Sequence, residues 1–118
     1  MNVRECYAQM GENFEDMFSR LPREASIIKY LRRFAENTEF DELIEAVDAG
    51  NFQRVFELSH DLKGMSANLS LSKFGAQMSE ICEETRGREP EKDLKVLISP
   101  AKEEHDKLIA SIQQLEDC

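Results

Sequence analysis

Apolar residues recur along this chain at helical spacing, with almost no strict alternation, so the pattern predicts helices from end to end. The first segment, Asn2 to Met10, opens on a capping asparagine and stops at Gly11. Asn13 caps a second short helix that carries Phe14, Met17, Phe18 and Leu21 on one face, and Pro22 ends it. A third helix runs from about Arg23 to Glu36 with the stripe Ile27, Ile28, Leu31, Phe34 and Ala35. The next stripe, Phe40, Leu43, Ile44 and Val47, falls roughly opposite the third at about 100° per residue, so one straight helix cannot bury both. The expectation is a break near Asn37-Thr38, with Thr38 as a cap. Gly50 ends that piece, and Asn51 caps the following helix.

The helix from Asn51 to about Leu69 places Val55, Leu58, Ser59, Leu62, Ser66 and Leu69 on one side. After Ser70-Leu71, Ser72 is expected to cap a helix reaching Gly87 that buries Phe74, Met78, Ile81 and Cys82 or Thr85. Arg88-Glu89-Pro90 reads as a turn. The last helix, from about Glu91 to Glu116, carries Leu94, Leu97, Ile98, Ala101, His105, Leu108, Ile112 and Leu115 on a near-heptad seam. Pro100 either kinks it or starts a new helix capped by Ser99. Short connections between amphipathic helices make antiparallel neighbours. The expected fold is all-α: an up-down-up-down antiparallel four-helix bundle over residues 23–118, with additional short N-terminal helices over residues 1–22, in a single domain.

Composition narrows the function classes. The net charge is −9, from 24 acidic and 15 basic residues among 118, and no basic run exceeds Arg32-Arg33. A nucleic-acid surface and a membrane-surface helix both need a basic face, so neither partner is expected. No run of apolar residues is long enough to span a bilayer and no signal-peptide core is present, so a cytoplasmic location is expected. Cys6, Cys82 and Cys118 are widely spaced, without a CxxC pair, and read as reduced thiols. No residue set has metal-site spacing, so neither a metal nor another cofactor is expected. No Gly-rich nucleotide loop is present, so the chain does not read as an enzyme.

Candidate chemistry concentrates in Ser59-His60-Asp61-Leu62-Lys63-Gly64. On a helical wheel with Val55 at the centre of the buried side, His60 lies near 140°, Gly64 near 180°, Ala67 near 120°, Phe56 near 100° and Lys63 near 80°. The histidine therefore faces away from the core, with a small residue one turn on and a cation beside it. A glycine inside a helix costs about 0.5–1 kcal/mol relative to alanine, so Gly64 needs a reason. A neutral imidazole is a good nucleophile near neutral pH. A phosphoryl group on it needs room, which Gly64 and Ala67 supply, and a counter-charge, which Lys63 supplies. Phe56 is a candidate apolar anchor for a partner. His105, on the apolar seam, reads as a partly buried histidine with a local hydrogen bond. Glu83-Glu84 and Glu103-Glu104 read as solvated faces.

The stretch from Ser59 to Leu69 resembles the signature of histidine-containing phosphotransfer (HPt) domains: a small residue, His, any residue, Leu-Lys-Gly, then small residues and a Leu. Upstream, Leu43, Ala46, Gly50-Asn51-Phe52, Val55 and Leu58 resemble the usual lead-in, with Asn51 where Asp is common. Downstream, Leu69-Ser70 stands where Leu-Gly is more frequent. Arg20-Leu21-Pro22 and Leu31-Arg32-Arg33-Phe34 look like the stand-alone bacterial form. The resemblance implies a phosphocarrier of a multistep two-component phosphorelay, with His60 as phosphoacceptor, Lys63 assisting and Gly64 keeping the site open. It implies receiver domains of response regulators and hybrid sensor kinases as partners, with magnesium on the receiver only. A monomer is the simpler expectation for a site that must stay open. Where many members carry a glutamine on the following helix, this chain has Cys82, and Gln77 is out of register. The alternative is a helical protein-interaction module that keeps the fold and carries no phosphate.

Overall fold

The computed structural model describes residues 1–116, and those residues form seven helices and no strand. They are α1 (Val3–Met10), α2 (Phe14–Arg20), α3 (Glu24–Glu36), α4 (Glu39–Ala49), α5 (Phe52–Asn68), α6 (Ser72–Glu84) and α7 (Leu94–Gln113). Asn2 closes a reciprocal capping box with Glu5, Asn13 caps α2 and Asn51 caps α5, each side chain accepting from a backbone N–H of the first turn. Gly11 and Gly50 end α1 and α4 at φ +74° and +67°, left-handed conformations that favour glycine.

The break between the out-of-phase stripes lies at Asn37-Thr38, as the wheel requires. Its chemistry differs from expectation. Asn37 Oδ1 accepts from the Glu39 N–H at 2.8 Å, whereas the Thr38 hydroxyl donates to Glu42 at 3.2 Å. Likewise Ser72 does not cap α6. Its hydroxyl reaches Glu12 Oε1 at 2.5 Å, and the other oxygen of Glu12 accepts from the Lys73 N–H at 3.1 Å, so a carboxylate from the N-terminal region supplies the anion this helix start favours. Helix α6 ends at Glu84, earlier than expected, and Pro100 lies inside a continuous α7 capped by Asp93.

The fold is an all-α bundle with short N-terminal helices. Helix α7, at 20 residues, spans about 30 Å. Helices α3 and α4 lie along its two halves. The guanidinium of Arg32 on α3 reaches the Leu115 carbonyl at 3.3 Å, while the end of α4 meets the start of α7 around Val47, Asp48, Leu94 and Lys95. The break between them sits opposite His105, which touches Phe34 of α3 and Phe40 of α4. Helices α5 and α6 complete the bundle as a tight antiparallel pair. A Cβ on Gly75 would stand only 3.3 Å from Ser66 Cβ, so glycine permits that approach. The five expected inward residues of α5 are buried, as is Leu69 just after its end. Ser59 and Ser66, small enough for the seam, return their hydroxyls to the Phe56 and Leu62 carbonyls of their own helix.

The N-terminal helices secure the turn that follows α5. The Tyr7 hydroxyl donates to the Leu69 carbonyl at 2.7 Å in the core. Ser70 adopts φ 55°, a conformation that strains a residue with a Cβ. Its hydroxyl donates to Asp16 Oδ2 at 2.6 Å and accepts from Arg20, bonds that a glycine would lack. Tyr7→Phe should therefore lower stability by about 1–2 kcal/mol, because it strands a buried carbonyl. Urea denaturation measures this, and an unchanged midpoint would contradict the assigned role of the bond.

Candidate functional site

The packing of α5 onto α6 settles which residues face out. With Ser59, Leu62 and Ser66 buried, His60, Gly64 and Ala67 are exposed, and Lys63 and Phe56 are half-buried between the two sides. The five candidate residues therefore share one surface, as the wheel predicts. Around Gly64 the space is open: a Cβ built there would meet no atom within 4 Å. Its backbone is ordinary helix, so neither a left-handed conformation nor a close packing contact demands glycine. The His60 ring lies 6.0 Å from the Phe56 ring, tilted by 36°, and no hydrogen bond or ion pair engages it among the described residues. The Lys63 ammonium also lacks an ion pair among the described residues. Lys63 borders a hollow of about 390 Å³ together with Asp16, Arg20, Ala67 and Gly75.

Asp61, which follows His60, turns toward α4. Burial, together with the nearby Asp61 and Glu42 carboxylates, raises the Glu39 pKa.

Sequence reasoning missed Arg86. Its guanidinium carbon stands 5.2 Å over the Phe56 ring, and Nη2 approaches the Cys82 sulfur at 3.9 Å while pairing with Glu83 at 3.0 Å. Cys82 itself is fully buried. Cys82 therefore offers His60 no polar partner, and one turn on, Arg86 reaches Phe56 instead. The signal was available at that offset, but a basic residue near a helix end has an ordinary explanation in the helix dipole.

The remaining candidates have structural roles. Cys6 and Cys82 are buried free thiols, with burial pushing the Cys6 pKa up to about 11, and Cys118 lies outside the described residues. Glu83 is exposed as expected. Glu84 is not: it is largely buried and accepts the backbone N–H groups of Lys92 and Glu91 at 3.1 and 3.0 Å, which hold its carboxyl below the usual range. Glu104 is also buried and pairs with Lys73 at 3.5 Å, whereas Glu103 is exposed. His105 is half-buried and rests on rings rather than on a hydrogen bond among the described residues. It stacks on Phe40 at 4.5 Å and contacts Phe34 at 5.9 Å and Phe74 at 5.6 Å.

No group of three or more metal-ligating side chains converges among the described residues, and no helix there is long and apolar enough to cross a membrane. Comparison with family models, with curated proteins and with solved structures finds no match to this chain.

Burial lowers the His105 pKa below its ordinary value of 6.5; Asp106 and Asp41 oppose that shift and Lys102 adds to it. The folded state withholds a proton that the unfolded chain accepts. This contribution to stability is therefore intact above pH 6.5 and is lost as the pH falls below it. Glu39, whose pKa is raised, acts with the opposite sign, so the contribution is isolated by comparison with His105→Leu. Denaturation curves from pH 7.5 to 5 should fall more steeply for the parent than for this variant, and parallel curves would contradict the account.

Proposed function

We propose that this chain is a histidine phosphocarrier of a two-component phosphorelay, cytoplasmic and without catalytic machinery of its own. The observation that carries the reading is the unexplained openness at Gly64. A glycine that no backbone conformation and no packing contact requires stands one turn from an exposed histidine, beside a lysine, and neither has a hydrogen bond or ion pair among the described residues. The resemblance of Ser59 to Leu69 to the HPt signature supports the same assignment.

In the proposed reaction an imidazole nitrogen of His60 attacks the phosphorus of an aspartyl phosphate on a receiver domain. The P–N bond forms as the P–O bond to the aspartate breaks, and the aspartate leaves as a free carboxylate. The ring becomes an N-phosphorylated imidazolium, which can release its remaining N–H proton to water. The reverse attack by an aspartate on a receiver returns the phosphoryl group. Lys63 offsets the phosphoryl charge from a flexible stem, and Gly64 and Ala67 leave the approach clear. Phe56, with Arg86 stacked above it, presents an amphipathic contact to the receiver. Magnesium and the acidic residues that hold it belong to the receiver.

His60→Gln should fold and accept no phosphoryl group from a phosphorylated receiver domain. Labelling equal to that of the parent would remove His60 from the scheme. Gly64 gives a test in two parts. Gly64→Ala meets no obstacle and should stabilise the helix by about 0.5–1 kcal/mol. Gly64→Phe should stay helical yet slow transfer at least about tenfold, the effect of about 1.4 kcal/mol on the barrier. An unchanged transfer rate in the phenylalanine variant would show that the glycine does not serve access. Retention of receiver binding with no phosphate acquired would instead favour the phosphate-free interaction module.

A further inference from the structure

A groove of about 510 Å³ lies between α2, α3 and the C-terminal half of α5. Its apolar surface comes from Met17, Leu21, Phe34 and Met65, with Tyr30 at its rim, 43% exposed. Two arginines, Arg20 and Arg33, border it, and no aspartate or glutamate does, although the chain carries a net charge of −9. The two arginines differ. Arg20 is engaged by Ser70 and lies 3.6 Å from Asp16. The Arg33 guanidinium stands 5.5 Å over the Tyr30 ring, and no carboxylate pairs with it among the described residues. Its N–H donors are therefore free for a ligand. The volume falls within the range of small-molecule sites, which combine an apolar lining with a few convergent polar groups.

We propose that this groove binds an amphipathic small molecule, an apolar chain ending in a carboxylate. The chain would lie against Met17, Leu21 and Met65, and the carboxylate would take the planar fork of Arg33, which matches two parallel N–H···O bonds. Methionine, with three rotatable bonds, adapts to chains of different shape. The groove borders neither His60 nor Gly64, shares only Arg20 with the hollow beside Lys63, and does not depend on phosphotransfer.

The test is a methyl and aromatic NMR titration of the full chain with octanoate, with 1-octanol as the neutral control and acetate as the head group alone. Octanoate should produce saturable shifts at the Met17 and Met65 methyls and the Tyr30 ring. Octanol and acetate should each bind at least about fivefold more weakly, because each lacks one half of the recognition. Arg33→Ala should weaken octanoate binding about tenfold while the spectrum remains that of the folded chain. Shifts that do not saturate or that lie away from the groove, equal affinity for octanol, or full affinity in Arg33→Ala would each overturn the proposal. So would protection of the groove by a receiver domain with no response to octanoate, which would assign the surface to a protein partner.

Discussion

Ser66 of α5 and Gly75 of α6 approach so closely that a single added carbon would crowd the seam, and this contact fixes the rotation of α5 about its own axis. With the serine side sealed against α6 and the leucines against the core, the opposite side has to face out. His60, Gly64 and Ala67 follow from that rotation rather than from any bond of their own. A helix buried on one side can leave its other side without packing because tertiary contacts, not intrinsic propensity, supply most of its stability. A glycine is tolerable in the middle of α5 for that reason.

The seam in turn depends on the short turn between α5 and α6. That turn holds a serine in a left-handed conformation and a buried carbonyl, and both are satisfied by residues of α1 and α2: Tyr7, Asp16 and Arg20. Glu12 adds a carboxylate at the start of α6. The N-terminal helices thus act as a brace on the helix pair that carries the candidate site. Arg20 also borders both the hollow beside Lys63 and the larger groove, so the brace shapes the surface as well as the core.

Much of this was legible in the sequence because periodicity reports burial. The inward side of α5, the break forced by two opposed stripes, and the outward position of His60 all follow from angles on a helix. What was not legible depends on contacts across long stretches of chain. Thr38 and Ser72 are good capping residues by type, yet Asn37 and Glu12 do the capping, since the partner is chosen by geometry in space. Glu84 and Glu104 look like solvated charges by type, and they are buried because backbone N–H groups and Lys73 happen to face them. Arg86 escaped notice because stacking on Phe56 joins α5 to the segment just after α6, thirty positions on, and no local pattern records it.

In the proposed function α5 holds the His60 imidazole open for a phosphoryl group, whereas His105 is half-buried against Phe34, Phe40 and Phe74. Site-resolved mass spectrometry, under alkaline conditions, of the chain after incubation with a phosphorylated receiver domain tests this directly. The account predicts one acid-labile, base-stable phosphoryl group, on the peptide containing His60. A phosphoryl group on His105, an acid-stable one on a serine or threonine, or none at all would contradict it.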